Sequence, residues 1–299
     1  MAVTEGEELI EAPLPPESGK VEEGLPLINI APSGGWLSVG LKEIWAYREL
    51  TYFLIWRDVK VRYKQTAIGA AWAVLQPLMT MVVFTLVFNN IAEIPSDGLP
   101  YPLFAFTALL PWNFFAGALV RCSSSVVSQS NLISKVYFPR LILPISAAVS
   151  GIVDFAIAFV ILVVMMVGYG VSPNRGIVFL PFFLLLALMS ALSVGLWLAS
   201  LYVRYRDIGH AVPFLVQIWM FVSPVAYSAA LVTQKWEKWR VLYSLNPMVG
   251  VIDGFRWALL GQAQPPLYSV LLSVVMVTAL FVGGLLFFRR MEQDFADVV

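Results

Sequence analysis

The chain has 299 residues, of which 59% are apolar and 13% charged, with a mean hydropathy of +0.79 and no formal net charge. A soluble domain needs far more polar surface, and a balanced charge predicts no nucleic-acid partner. A single cysteine, Cys122, excludes an internal disulfide and argues against a thiolate metal site, and a single histidine, His210, leaves a histidine metal centre or a Ser-His-Asp triad almost no material. The predicted fold class is an all-α polytopic membrane protein, with no metal.

Residues 1–40 carry Glu5, Glu7, Glu8, Glu11, Glu17, Glu22 and Glu23 against Lys20 alone, with prolines interspersed. Such a stretch cannot bury a core and is predicted to be a disordered cytoplasmic tail. It lacks the basic start and apolar middle of a signal peptide, so the first span is expected to serve as the insertion signal. Over 41–66, Leu41, Ile44, Trp45, Tyr52, Ile55, Trp56, Val59 and Tyr63 recur at steps of three and four. This predicts an amphipathic helix, lying in the cytoplasmic membrane interface or packed on its own protein. It ends in the charges Arg57, Asp58, Lys60, Arg62 and Lys64, after which no charge occurs from Ala67 until Glu93.

A helix crosses the hydrocarbon core in about 20 residues, so uncharged runs of that size are read as spans. The runs 67–92, 98–120, 141–174, 176–203, 208–234 and 257–288 predict six, within a permease domain over 67–299. Six spans put both termini on one side. Placing that side in the cytoplasm leaves only Arg175, Lys235, Lys238, Arg240 and Arg256 outside, as the excess of inner basic residues requires. The segment 229–266 is too long for a turn and too polar for a span. Its apolar pieces, broken by Asn246-Pro247, predict short re-entrant helices in the outer leaflet with Trp236, Trp239 and Trp257 at headgroup level.

No phosphate-binding G-x-x-x-x-G-K-[ST] sequence occurs; the Gly19-Lys20 pair is followed by Val21. If the chain uses ATP, a partner holds it, and the chain itself is not expected to be an enzyme. Asp154 is the one carboxylate deep inside a predicted span, where an ionisable group is costly enough to imply a role. A membrane enzyme acting on lipid-linked sugars should show paired carboxylates or a His-Asp set at the membrane face, whereas Asp58 and Asp207 each stand beside an arginine and read as loop charges. A secondary transporter should carry internal repeats and ionisable groups near the midplane, and no half of the chain repeats the other.

In order, the chain presents an interfacial helix, RDVKVRYKQTAIGAAWAVLQP at 57–77, Pro-Trp-x-Phe-Phe at 111–115, NLISKVYFPRLILP at 131–144, RYRDI at 204–208 and SLNPMVGVIDGFR at 244–256. From about Ile44 to the end, this resembles the membrane subunit of bacterial polysaccharide ABC exporters, of the O-antigen and teichoic acid type. The resemblance implies an inner-membrane homodimer with two copies of a cytoplasmic ATPase that holds the ATP and Mg. It implies export of a polyprenyl diphosphate-linked polysaccharide such as O-antigen; teichoic acid, capsule, or a drug or small lipid are alternative cargoes on the same architecture. It places the polymer channel between the first and fifth spans, the ATPase-coupling loop at 123–140 with Ser134, Lys135, Tyr137, Phe138 and Arg140, and an outer gate at Asn246, Pro247, Phe255 and Arg256.

Substrate chemistry adds to these positions. A diphosphate headgroup at the inner interface would meet Arg57, Lys60, Arg62 and Lys64 with charge-assisted hydrogen bonds; for any one of the four, charge that only holds the helix inside is the competing reading. Sugar rings slide over aromatic faces, so Trp72, Phe84, Phe88, Phe214, Trp219, Phe221 and Tyr227 are channel-lining candidates, with Ile218 sharing a helical face with Phe214 and Phe221.

Overall fold

The computed structural model describes residues 41–64, 71–133, 135–235, 237–261, 267–292 and 295, and every regular element among them is a helix. The acidic stretch 1–40, residues 65–70, Ser134 and Trp236 lie outside the described residues. The chain opens with α1 (Leu41–Ala46) and α2 (Arg48–Lys64). A first apolar rod follows, α3 (Ala71–Phe84) continued by a π-helix over Thr85–Ile91, then α4 (Tyr101–Ser128) and the short α5 (Ser130–Ile133). Next come α6 (Ile142–Val149), α7 (Ile152–Gly168), α8 (Leu180–Arg204) behind a 3-10 turn, and α9 (Ile208–Val222). The chain closes with α10 (Ala229–Lys235), α11 (Arg240–Ser244), α12 (Pro247–Leu260) and α13 (Leu267–Glu292).

Among the described residues, five helical stretches are long and apolar enough to cross a membrane: Ala71–Ile91, Tyr101–Ser128, Ile142–Gly168, Arg175–Arg204 and Leu267–Glu292. Two predicted boundaries move. The second span was expected to stop at Val120 before Arg121, but α4 carries on to Ser128, because charge is tolerated where the bundle itself answers it. The last was expected to start at Trp257, which instead belongs to α12; Gly261 ends that helix in a left-handed conformation, and α13 begins at Leu267.

Helix α4 is the axis. In its most apolar stretch 78% of residues are buried, against 11% to 39% in the other four. It packs on α3, α6, α7, α8, α9 and α12, while α13 closes the outside against α8 and α12. Small residues such as Ala105, Ala108 and Ala118 let these neighbours approach, as small residues do between helices in lipid. Its serines do not stay unpaired: Ser123 and Ser124 both donate to the Val120 carbonyl, and Ser125 to that of Cys122. At one end of the bundle, Leu54 of α2 joins Val126, Phe138, Ile142, Val203 and Phe288 in a second apolar cluster. We call this the α2 end.

The run 208–234 was expected to be one continuous helix and is not. Helix α9 stops at Val222, and at about 1.5 Å per residue its 15 residues reach about 22 Å, short of the hydrocarbon thickness of about 30 Å. Pro224 is the cause: it pushes Ser223 into an extended conformation, ψ 153°. The freed carbonyls must be satisfied by protein. Arg256 donates to Val225 O at 2.9 Å and Tyr227 O at 3.0 Å, and the Tyr101 hydroxyl donates to Ala226 O at 2.8 Å. The guanidinium also lies over the Phe104 ring at 3.6 Å, a cation–π contact in a site only 1% exposed. Replacing Tyr101 with Phe removes one hydrogen bond and should cost about 1 kcal/mol, whereas Arg256→Met strands two buried carbonyls and should cost about 3 kcal/mol or more. Thermal unfolding in mild detergent checks the ordering; equal midpoints for the two variants would refute it.

Candidate functional site

A cavity of about 880 Å³ lies toward the α2 end, between α2, α3, α4, α7 and α9. Its upper walls are apolar, with Leu110, Phe114, Phe155, Ala158 and Val216. Its polar lining is Arg62, Tyr63, Gln76, Asn113, Arg121 and Asp154. A second cavity of about 540 Å³ is lined by Arg57, Asp58, Ser124, Ser128, Gln129 and Asn131 among others. Arg62 and Arg121 line both, so the two guanidinium groups stand at the junction.

Asp154, which had no partner in view from its own span, finds one 92 residues upstream. Its carboxylate accepts from Arg62 Nη1 and from the Tyr63 hydroxyl, and Arg62 Nη2 donates to Ser150 Oγ at 3.2 Å. Burial, reinforced by the Asp154 carboxylate, pushes the Tyr63 hydroxyl up to about 12, so it stays protonated and donating at neutral pH. These bonds tie the C-terminal turn of α2 to the break between α6 and α7. Both partners keep about 30% exposure, which caps what the pair contributes to stability at about 1 kcal/mol.

Arg121 was read from sequence as a span-ending charge and not as part of any site. Its Nε donates to the Ala147 carbonyl at 3.1 Å, and its Nη groups have no hydrogen-bond partner among the described residues. The guanidinium lies in a slot formed by two glycines. A Cβ added to Gly117 would come within 2.9 Å of Nη1, and one added to Gly151 would overlap Nη2 outright. The sequence does carry a signal for it: an arginine followed by Cys122, Ser123, Ser124 and Ser125 still within helical pattern.

The other predicted residues separate into groups. Arg57 turns to Asp58 at 2.8 Å and lines the second cavity. Lys60 and Lys64 stay on the exposed side of α2, Lys60 over the Trp56 ring at 5.6 Å. That side is aromatic as well as charged, with Tyr52, Phe53 and Trp56 exposed, and Trp45 of α1 is exposed too. Phe214, Ile218 and Phe221 form an exposed face of α9, and Trp72 is exposed beside the first cavity. Phe84 faces inward, only 6% exposed and edge-on to Phe88, which packs partly on the core; the Tyr227 hydroxyl bonds Phe221 O.

In the loop before α6, Lys135, Val136 and Tyr137 are exposed and Phe138 is buried. Arg140 donates through its backbone to Glu292 Oε1 at 3.1 Å and through its side chain to the Glu292 carbonyl, which fastens the loop to the end of α13. At the far end, Asn246 caps α12 at Met248 N, accepts from Trp219 Nε1 and donates to Ser223 Oγ. Pro247 and Phe255 are buried, and both Nη groups of Arg256 are held by carbonyls rather than turned to solvent or paired with Asp253.

The profile of the ABC-2 type transporter family matches residues 49–260. The chain belongs to that family. Over 87% of its length this ABC-2 transporter is 29% identical to the O-antigen export system permease protein of Myxococcus xanthus, of which 98% is covered. It is 25% identical to a Klebsiella pneumoniae O-antigen export system permease protein, over 81% of this chain and 92% of that one. To the polysialic acid transport protein of Escherichia coli it is 23% identical, over 80% of this chain and 92% of that one. The matched region spans both cavities and the loop before α6.

Asp154→Asn keeps an acceptor but removes the charge that holds Arg62. Backbone amides over 57–64 are expected to exchange several-fold faster, in line with about 1 kcal/mol, while those of α4 keep their protection. Hydrogen exchange with mass spectrometry reads this directly, and unchanged protection in α2 would show that the pair does not hold it.

Proposed function

We propose that the chain is the permease subunit of an ATP-driven exporter that carries a lipid-linked polysaccharide across the bacterial inner membrane. The cavity at the α2 end carries this reading, since its apolar walls and guanidinium-bearing junction match a ligand with a hydrocarbon tail and an anionic head. The names of the relatives, O-antigen export and polysialic acid transport, support the glycan part. On this reading α9 together with 223–235 forms a sixth span, both termini and the α2 end face the cytoplasm, and α2 lies in the inner interface with its aromatic side toward lipid. Helices α11 and α12 re-enter the outer leaflet, where irregular backbone is tolerated because Arg256, Tyr101 and Asn246 satisfy it.

The working unit is a homodimer with two copies of a separate ATPase, which binds ATP and Mg and does the hydrolysis; this chain catalyses nothing. The exposed faces of α3 and α9 flank the polymer path, and Tyr137, 72% exposed at the tip of a fastened loop, docks the ATPase. Arg57, Lys60 and Lys64 attract the anionic headgroup to the inner surface.

Gentle purification of the tagged chain from its own membranes should recover a stoichiometric subunit bearing a phosphate-binding loop, and Tyr137→Ala should reduce that recovery. Arg57→Ala with Lys60→Ala should lower surface polymer at least several-fold while the ATPase still co-purifies. Normal polymer with both changes would remove the headgroup role from α2, and a chain that always purifies alone would remove the exporter reading.

A further inference from the structure

Three positive charges reach the two cavities. Arg57 is neutralised by Asp58 and Arg62 by Asp154, which leaves Arg121 with no ion pair among the described residues. A guanidinium with no direct ion partner toward the membrane interior is costly unless something answers it, and Asp154 and Asp58 act on this one only through space. Packing does not hide this one: it lines both cavities, and two glycines clear the space its planar group occupies. Among the described residues its one acceptor takes only Nε, leaving the Nη edge for a ligand.

We propose that the junction of the two cavities is a phosphate site, with Arg121 as the primary ligand and Arg62 as the second, released from Asp154 when a diphosphate arrives. The proposal rests on the exporter reading above and specifies its ligand as the diphosphate of a polyprenyl carrier. Two guanidinium groups offer planar, forked donors that suit the two charges of a diphosphate, and Asp154, once Arg62 leaves it, keeps the hydrogen bond from the Tyr63 hydroxyl. The apolar walls at Leu110, Phe114 and Phe155 take the first isoprene units, and Ser124, Ser128 and Gln129 face the side from which sugars extend. In the empty site Asp154 keeps Arg62 compensated, so the pair acts as a placeholder that the ligand displaces.

The test uses the full-length chain in nanodiscs of zwitterionic lipid, with labelled polyprenyl diphosphate, polyprenol and inorganic diphosphate as probes. Arg121→Ala should weaken polyprenyl diphosphate binding at least tenfold, about 1.4 kcal/mol, and leave polyprenol binding unchanged. Arg121→Lys should recover only part of the loss, because an ammonium lacks the fork. Gly151→Ala, which suits its helical backbone and displaces only the end of a flexible side chain, should reproduce the loss in a well-folded protein. It decides the matter alone if Arg121→Ala does not fold. Binding within twofold of wild type in Arg121→Ala, or in Gly151→Ala where only that variant folds, overturns the site. Loss in Arg57→Ala with Lys60→Ala but not in Arg121→Ala overturns this site and leaves the headgroup reading standing. A wild-type chain that binds polyprenol as tightly as the diphosphate overturns both, and equal affinity for inorganic diphosphate overturns the lipid assignment.

Discussion

Hydrocarbon offers no hydrogen bonds, so each carbonyl freed where a membrane helix breaks must be answered from within the protein. This chain answers with arginine. Arg256 takes the carbonyls of Val225 and Tyr227 beyond the end of α9, Arg121 takes that of Ala147 near the end of α6, and Arg140 takes that of Glu292 at the end of α13. Each cation sits near the negative end of a helix, where both its hydrogen bonds and its charge are favourable. The two breaks and the end of α13 are thereby made stable features of the bundle.

The same chemistry distinguishes one of them. Both Nη groups of Arg256 are used by carbonyls, its plane is covered by Phe104, and the residue is sealed from solvent. Arg140 is occupied through backbone and side chain at once. Arg121 has the same kind of anchor at Nε, but a slot and two cavities where the others have packing. A residue serving only to cap α6 would not need glycines at both 117 and 151.

Much of the fold was legible because hydrophobic length is a strong signal: the five long spans fall where uncharged runs predicted them. The misplaced boundaries share one cause. Counting uncharged residues treats every charge as a surface, so Arg121 clipped α4 short, although the serines after it were still helical and satisfied along their own turn. The interruption at Ser223-Pro224 was visible in local chemistry, and the uninterrupted apolar run outweighed it. The candidate site was only half legible. Arg62 and Asp154 were each singled out for separate reasons, but a bond between residues 92 apart depends on how α2 folds back against the bundle, which no spacing rule reports. Gly117 and Gly151 were silent for the same reason, since their significance is the shape of a neighbour.

Helix α6 connects these observations to work. Its eight residues span about 12 Å, with the loop holding Tyr137 and Arg140 just before it and the contacts to Arg121 and Arg62, at Ala147 and Ser150, at its other end. Ile142 and Leu143 are fully buried at its start, so this short helix is packed stiffly against the bundle. Beside α4 and α2, that helix presents the Ala147 carbonyl and the Ser150 hydroxyl. Those two atoms hold the guanidinium groups at the cavity junction. The exposed loop at Tyr137 and the two arginines therefore stand at opposite ends of one short helix.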